Sequence, residues 1–158
     1  MAFPGNELPR EIERKFLLKR VPDNLAGYSH EEIEQGYLAI ENGGVQVRLR
    51  RKGEACSLTY KRGETTAREE REISLTPEQF DALWPATERR RLAKLRYEIP
   101  WRDHIVEVDV YRGRHEGLVV AEVEFESETR CGEFVPPDWF GDEVTGDSRY
   151  SNVVLAQQ

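Results

Sequence analysis

At 158 residues, 38% of them hydrophobic and 34% charged, the chain suits one domain spanning residues 1–158, with a real core. Its net charge of −7 argues against a general nucleic-acid or anionic-membrane binder while leaving room for a local basic site. No apolar run approaches the ~20 residues of a membrane span, and Met1–Glu7 lacks the apolar stretch of a signal peptide, so the expectation is a cytoplasmic protein with neither membrane nor nucleic acid as partner.

The first element, Arg10–Leu18, places Glu11, Glu13 and Lys15 at strict period two. A strand sends alternate side chains to opposite faces, so these three share one face and Ile12, Arg14 and Phe16 take the other. Asp23–Glu34 reads as a weak helix or irregular connection. Gln35–Ile40 is a strand with Tyr37 on one face and Leu38 and Ile40 on the other, and Glu41-Asn42-Gly43-Gly44 is a turn in which positive φ is readily taken. Val45–Arg50 alternates with Arg48 and Arg50 together. Ser57–Lys61 sets Lys61 opposite Leu58 and Tyr60, and Arg68–Leu75 sets Arg68, Glu70 and Glu72 opposite Ile73 and Leu75.

Thr76 is a helix cap, with Pro77 in the first turn and Gln79 at the capping-box position. Phe80, Leu83 and Trp84 form the apolar stripe of that helix, suited to packing outside a sheet. Arg89-Arg90-Arg91 reads as a solvated loop or strand edge. The strand pattern then returns: Lys94 with Arg96, Glu107 with Asp109, and Glu122 with Glu124. Pro136-Pro137 ends regular structure, and Ser148–Ala156 is a short terminal helix capped by Asp147. Cys56 and Cys131 lack metal-ligand spacing and read as reduced thiols. His30, His104 and His115 form no metal motif.

A half-exposed antiparallel sheet with a solvated charged face explains any one of these strands. About eight of them, carrying close pairs of both signs with few neutral polar residues between, fit better a sheet closed into a barrel. The fold class expected is α+β, mainly β: an eight-stranded antiparallel closed barrel with charge inside, apolar residues outside and helices packed over them. Val47, Leu49, Leu58, Leu95, Val108 and Val123 should point away from the interior, beneath helices or into a homodimer contact. So many buried charges need a hydrated cavity and a charged ligand to compensate them.

Glu11-x-Glu13-x-Lys15, Arg48-Leu49-Arg50, Lys61, Glu70 with Glu72, Lys94-Leu95-Arg96, Glu107-Val108-Asp109, Glu122-Val123-Glu124 and the closing Glu143–Asn152 together resemble the CYTH, or triphosphate tunnel metalloenzyme, superfamily. The resemblance covers about Glu11 to Ala156. It implies an eight-stranded tunnel that binds a triphosphate with Mg²⁺ or Mn²⁺. Lys15, Arg48, Arg50, Lys61, Lys94 and Arg96 then bind phosphate, Arg through bidentate forks and Lys as compact charges. Glu11, Glu13, Glu122 and Glu124 supply the oxygen ligands such a cation prefers. Glu70, Glu72, Glu107 and Asp109 either hold a second metal or orient the arginines.

Among related small tripolyphosphatases a second-strand tyrosine is a proposed proton acceptor. Its match here is Tyr37, catalytic with Lys15, whose ammonium should lower the phenol pKa. Hydrogen bonding alone by Tyr37, or a glutamate working with the metal, are the other readings. The activity implied is metal-dependent hydrolysis of inorganic tripolyphosphate to pyrophosphate and phosphate. The alternatives are an organic triphosphate enzyme (thiamine triphosphatase or class IV adenylate cyclase), with Trp101 available to stack on a ring, and a noncatalytic polyphosphate-binding module.

Overall fold

The computed structural model describes residues 10–63 and 67–158; the first nine residues, on which the reading of the N-terminus partly rests, lie outside them. Its principal strands are β1 (Arg10–Leu18), β2 (Ser29–Glu41), β3 (Val45–Lys52), β4 (Ala55–Arg62), β5 (Ala67–Leu75), β6 (Arg91–Trp101), β7 (His104–Tyr111) and β8 (Val119–Glu124). They pair antiparallel in the cyclic order β1-β5-β4-β3-β2-β6-β7-β8, returning to β1. Closure is made by β1, which meets β5 at Glu11↔Arg68 and β8 at Glu13↔Glu124 and Lys15↔Glu122. The expected eight-stranded barrel is thus the observed one.

Period-two alternation sorts the side chains as the sequence requires. Val106, Val108, Ala121 and Val123 turn outward and join Ile12, Phe16, Phe125, Phe134 and Phe140 in one buried cluster. Two elements that the sequence pattern does not announce help cover it: α2 (Glu128–Glu133), capped by Ser127, and a short ninth strand, β9 (Phe140–Glu143), on the later half of β1. Regular structure therefore resumes beyond Pro136-Pro137.

On another flank, α1 (Pro77–Leu83) carries the expected capping box, Thr76 and Gln79 bonding reciprocally at 3.1 and 2.9 Å. It lays Phe80, stacked on Trp84 at 5.0 Å between centroids, over Leu49, Cys56 and the partly buried Leu58 and Leu75. Burying a phenylalanine in this way stabilises by about 2 kcal/mol.

The Asp23–Glu34 connection differs from expectation. After one 3₁₀ turn at Leu25–Gly27 the chain is already extended from Ser29. Glu31, Glu32 and Glu34 favour helix locally, but both edges of this stretch are paired, Ile33 with Lys52 on one side and with Lys94 on the other. Tertiary pairing overrides propensity here. At the following turn it is Gly43 and Gly44 that take positive φ, 81° and 73°.

The terminal helix is also broken in two. A 3₁₀ turn, Ser148–Tyr150, is capped by Asp147 as expected, and then Ser151 caps α3 (Asn152–Leu155). Leu155 and Ala156 pack on Tyr37, Leu92, Tyr111 and Val120, all inward-facing, and so close one end of the barrel.

Candidate active site

The strand alternation brings both charge sets into one interior. Carboxylate oxygens of Glu11, Glu13 and Glu124 lie within 4.8 Å of one another, with Glu124 at the exposed rim. Cations surround this cluster: Lys61 Nζ donates to Glu11 Oε1 at 2.8 Å, and one Arg68 nitrogen donates to Glu11 Oε2 at 2.9 Å and Glu13 Oε1 at 3.2 Å. Three hard oxygen donors converging from β1 and β8 could hold a divalent cation. Glu122 stands apart from that group. Its oxygens face Lys15 Nζ at 3.2 Å and Arg96 Nη2 at 3.5 Å, so its present partners are ammonium and guanidinium.

Behind this wall Asp109, wholly buried, grips Arg96 through two bonds of 2.7 and 2.8 Å and accepts from Lys94 at 2.7 Å. Glu107 takes the remaining Arg96 nitrogen at 3.0 Å. Asp109 and Glu107 therefore orient Arg96. Lys94 is enclosed by Asp109, Asn152 and the Tyr111 ring, set back from the cavity that the other cations line. Glu72 accepts from Thr59 at 2.7 Å and lies 3.9 Å from both Arg48 and Arg50.

A narrow inner cavity of about 90 Å³ is lined by Glu13, Lys15, Tyr37, Gln46, Arg48, Arg50, Lys61, Arg68, Arg96, Glu122 and residues 151–153. It adjoins a wider one of about 500 Å³, with which it shares Glu13, Lys15, Gln46, Arg68, Ser151 and Val153. A third cavity of about 390 Å³ meets Glu124 and Glu107 from another side and is lined also by Glu98, Asp103 and Glu126.

Ion pairing satisfies part of this network, holding the pKa values of Lys15, Arg68 and Arg96 up and those of Glu11, Asp109 and Glu122 down, and leaves other groups crowded. Burial, then the charges of Glu122 and Glu11, push the Glu13 carboxyl up to about 8. Burial and Glu107 push Glu124 to about 7. On the basic side, burial together with Arg48 and Arg96 pushes Arg50 down to about 10. A divalent cation relieves the first crowding and a polyanion the second.

Tyr37 lines the inner cavity, but its expected acidity is reversed. Burial raises the phenol pKa, and the opposing pull of Arg48, Gln35 and Lys15 does not outweigh it. Trp101 packs beside the outer cluster and donates to the Val135 carbonyl, away from the inner cavity. Arg68, Gln46 and Asn152 are cavity residues that the sequence reading did not single out as such. The first two had a signal, since Arg68 alternates with Glu70 and Glu72, and Gln46 with Arg48 and Arg50. Asn152 had no periodic signal, because it arrives on the terminal segment rather than on a strand; it was legible only as the end of the closing Glu143–Asn152 resemblance.

Fold and site together define an antiparallel barrel whose closed interior is built from acidic and basic side chains in register. The CYTH domain matches residues 9–150, and the chain belongs to the CYTH family. It is 44% identical over 148 residues to the inorganic triphosphatase of Nitrosomonas europaea, spanning 92% of this chain and 96% of that protein. It is 34% identical over 156 residues to the inorganic triphosphatase of Acetivibrio thermocellus, spanning 94% of each. A crystal structure of an inorganic triphosphatase superposes with a TM-score of 0.68 at 42% identity, over 94% of this chain and 95% of the other.

Proposed function

We propose that this chain is a divalent-cation-dependent inorganic triphosphatase that cleaves tripolyphosphate to pyrophosphate and orthophosphate. The observation that carries the reading is the double crowding of one interior: carboxyls driven up to about 8 and 7 beside a guanidinium driven down to about 10. A triphosphate with its cation neutralises both at once.

Lys15, Arg48, Arg50, Lys61 and Arg96 hold the phosphates, joined by Arg68, and Lys94 adds charge from behind Asp109. Glu11, Glu13 and Glu124 hold Mg²⁺ or Mn²⁺, while Glu122 keeps Lys15 and Arg96 in place. The bound cation supplies charge neutralisation at the phosphate oxygens. The arginine forks fix the terminal phosphorus for in-line attack and stabilise charge on the equatorial and leaving oxygens. Tyr37, on the same inward face, takes the proton of the attacking water once its own has been lost. Because burial raises its pKa, turnover should climb with pH into the alkaline range.

The test is a panel of tripolyphosphate, thiamine triphosphate, ATP and long polyphosphate, each with and without Mg²⁺ or Mn²⁺. Tripolyphosphate should be turned over fastest and only with a cation. Faster formation of cyclic AMP from ATP, or tight binding of tripolyphosphate without hydrolysis, overturns the reading.

A further inference from the structure

Gln35 is fully buried on the inward face of β2, two residues before Tyr37. Its side-chain Nε2 donates to the Tyr37 hydroxyl oxygen at 3.2 Å. Its Oε1 is buried with no hydrogen-bond partner among the described residues. An orphaned buried carbonyl is destabilising, and an apolar side chain of similar volume would avoid it. Packing alone therefore does not call for glutamine at this position.

We propose that Gln35 is the positioning residue of Tyr37, its amide donating to the phenol oxygen so that the phenol's own proton is directed into the phosphate cavity. The inference rests on the triphosphatase reading for its catalytic consequence, but not for its geometry. An N–H donor cannot accept the phenolic proton, so that proton must be given elsewhere. The cavity side of the ring, shared with Lys15 and Arg48, is where it is directed. When the proton leaves, the same N–H steadies the phenolate, as a hydrogen bond to the charged form does.

The backbone beneath the pair is held as well. Tyr37 N donates to the Arg90 carbonyl at 3.0 Å. Gly36 lies so close under Thr87 that a Cβ would come within 2.6 Å of that side chain. The two inward side chains on either side of Gly36 thus start from a fixed stretch of strand.

The experiment compares Gln35→Leu, Gln35→Glu, Tyr37→Phe and the Gln35→Leu/Tyr37→Phe double variant in the whole chain. Gln35→Leu should melt no lower than wild type and keep KM for tripolyphosphate within about twofold. Its kcat should fall about tenfold, the size expected of one hydrogen bond. Gln35→Glu should fall as well, because a carboxyl oxygen in either protonation state can accept the phenolic proton and turn it away from the cavity. In the Tyr37→Phe background Gln35→Leu should cost nothing more, since both changes break the same unit.

A readout independent of turnover is the tyrosinate absorbance titration of each protein minus its Tyr37→Phe counterpart, which should move to higher pH when Gln35 is leucine. An unchanged kcat, a loss explained by a lowered melting temperature, an additive loss in the double variant or an unmoved titration each overturns the proposal. A wild type that leaves tripolyphosphate intact, yet shows the shifted titration, sinks the triphosphatase reading and leaves the positioning role standing.

Discussion

Replacing Glu13 with glutamine should make the cation-free protein more stable while removing its activity. The Glu13 carboxyl is raised from its ordinary 4.5 to about 8 by burial and by Glu122 and Glu11. At 1.36 kcal/mol per pKa unit this is roughly 4–5 kcal/mol against ionising it in the folded barrel. A raised acid pKa contributes stability that is complete below 4.5 and is lost as pH rises through about 8. By linkage the penalty at pH 7 is on the order of 3 kcal/mol.

Glutamine keeps the shape, and its carbonyl oxygen can still accept from Arg68, but it does not ionise. In chelator at pH 7, Glu13→Gln should therefore melt roughly 6–12 °C above wild type, with the gap closing toward pH 4.5. Millimolar Mg²⁺ should restore wild type by roughly 2–3 kcal/mol at about a hundredfold excess over Kd and do much less for the variant. Thermal and urea unfolding across that pH range provide the assay. A Glu13→Gln protein no more stable than wild type at pH 8 in chelator would refute the reasoning.

Cation binding at pH 7 should expel a proton from Glu13, because a coordinating carboxylate must be ionised; calorimetry in two buffers of different ionisation heat should detect it, with release fading above about pH 9. Arg50→Ala should lower kcat/KM for tripolyphosphate by a factor on the order of 10² to 10³, and Arg50→Lys should recover only part, since charge returns without the fork; full recovery would mean that the fork is unimportant. Asp109→Asn weakens a fully buried carboxylate's hold on Arg96 and Lys94, so urea unfolding should show a loss of about 3–5 kcal/mol. An unchanged unfolding midpoint would mean that Glu107 and Glu122 suffice to orient Arg96.

The barrel was legible because its period is short and its two faces differ so sharply. Glu11, Glu13 and Lys15 on one strand, Arg48 and Arg50 on another, and Glu122 with Glu124 on a third can share an interior only if the sheet closes. What alternation cannot reveal is which inward charges are taken by their neighbours. Glu122 looks like Glu124 in sequence, yet the register sets it opposite Lys15 while Glu124 stands opposite Glu13. Lys94 likewise shares a face with Arg96 in sequence, yet the fold also joins it to Asp109 at 2.7 Å, a pairing that alternation does not display.

The helix-like stretch before Gln35 was hidden because its pairing partners lie far along the chain. The acidity of Tyr37 was misjudged because burial, which sequence does not display, outweighs a neighbouring ammonium. The terminal segment carries no periodic signal at all. Its contribution, the Tyr150 carbonyl on Lys15 Nζ at 2.9 Å and Asn152 beside Lys94, depends on where the chain happens to return.

The seam made by β1 has a consequence for how the protein is manufactured. β1 leaves the ribosome before β8 and cannot complete its pairing until Val119–Glu124 has followed, because its long partner is β8. Until then β1 presents an open edge and the side chain of Phe16, the kind of surface that invites association with other chains or with chaperones. Such distant pairings place the fold among the slow ones, in the range of milliseconds to seconds. Glu13 gains Glu124 as its neighbour, and Lys15 gains Glu122, only at that late step. Interrupted synthesis consequently yields no half-competent fragment: the interior chemistry waits for the last strand of the barrel and for the terminal segment that follows it.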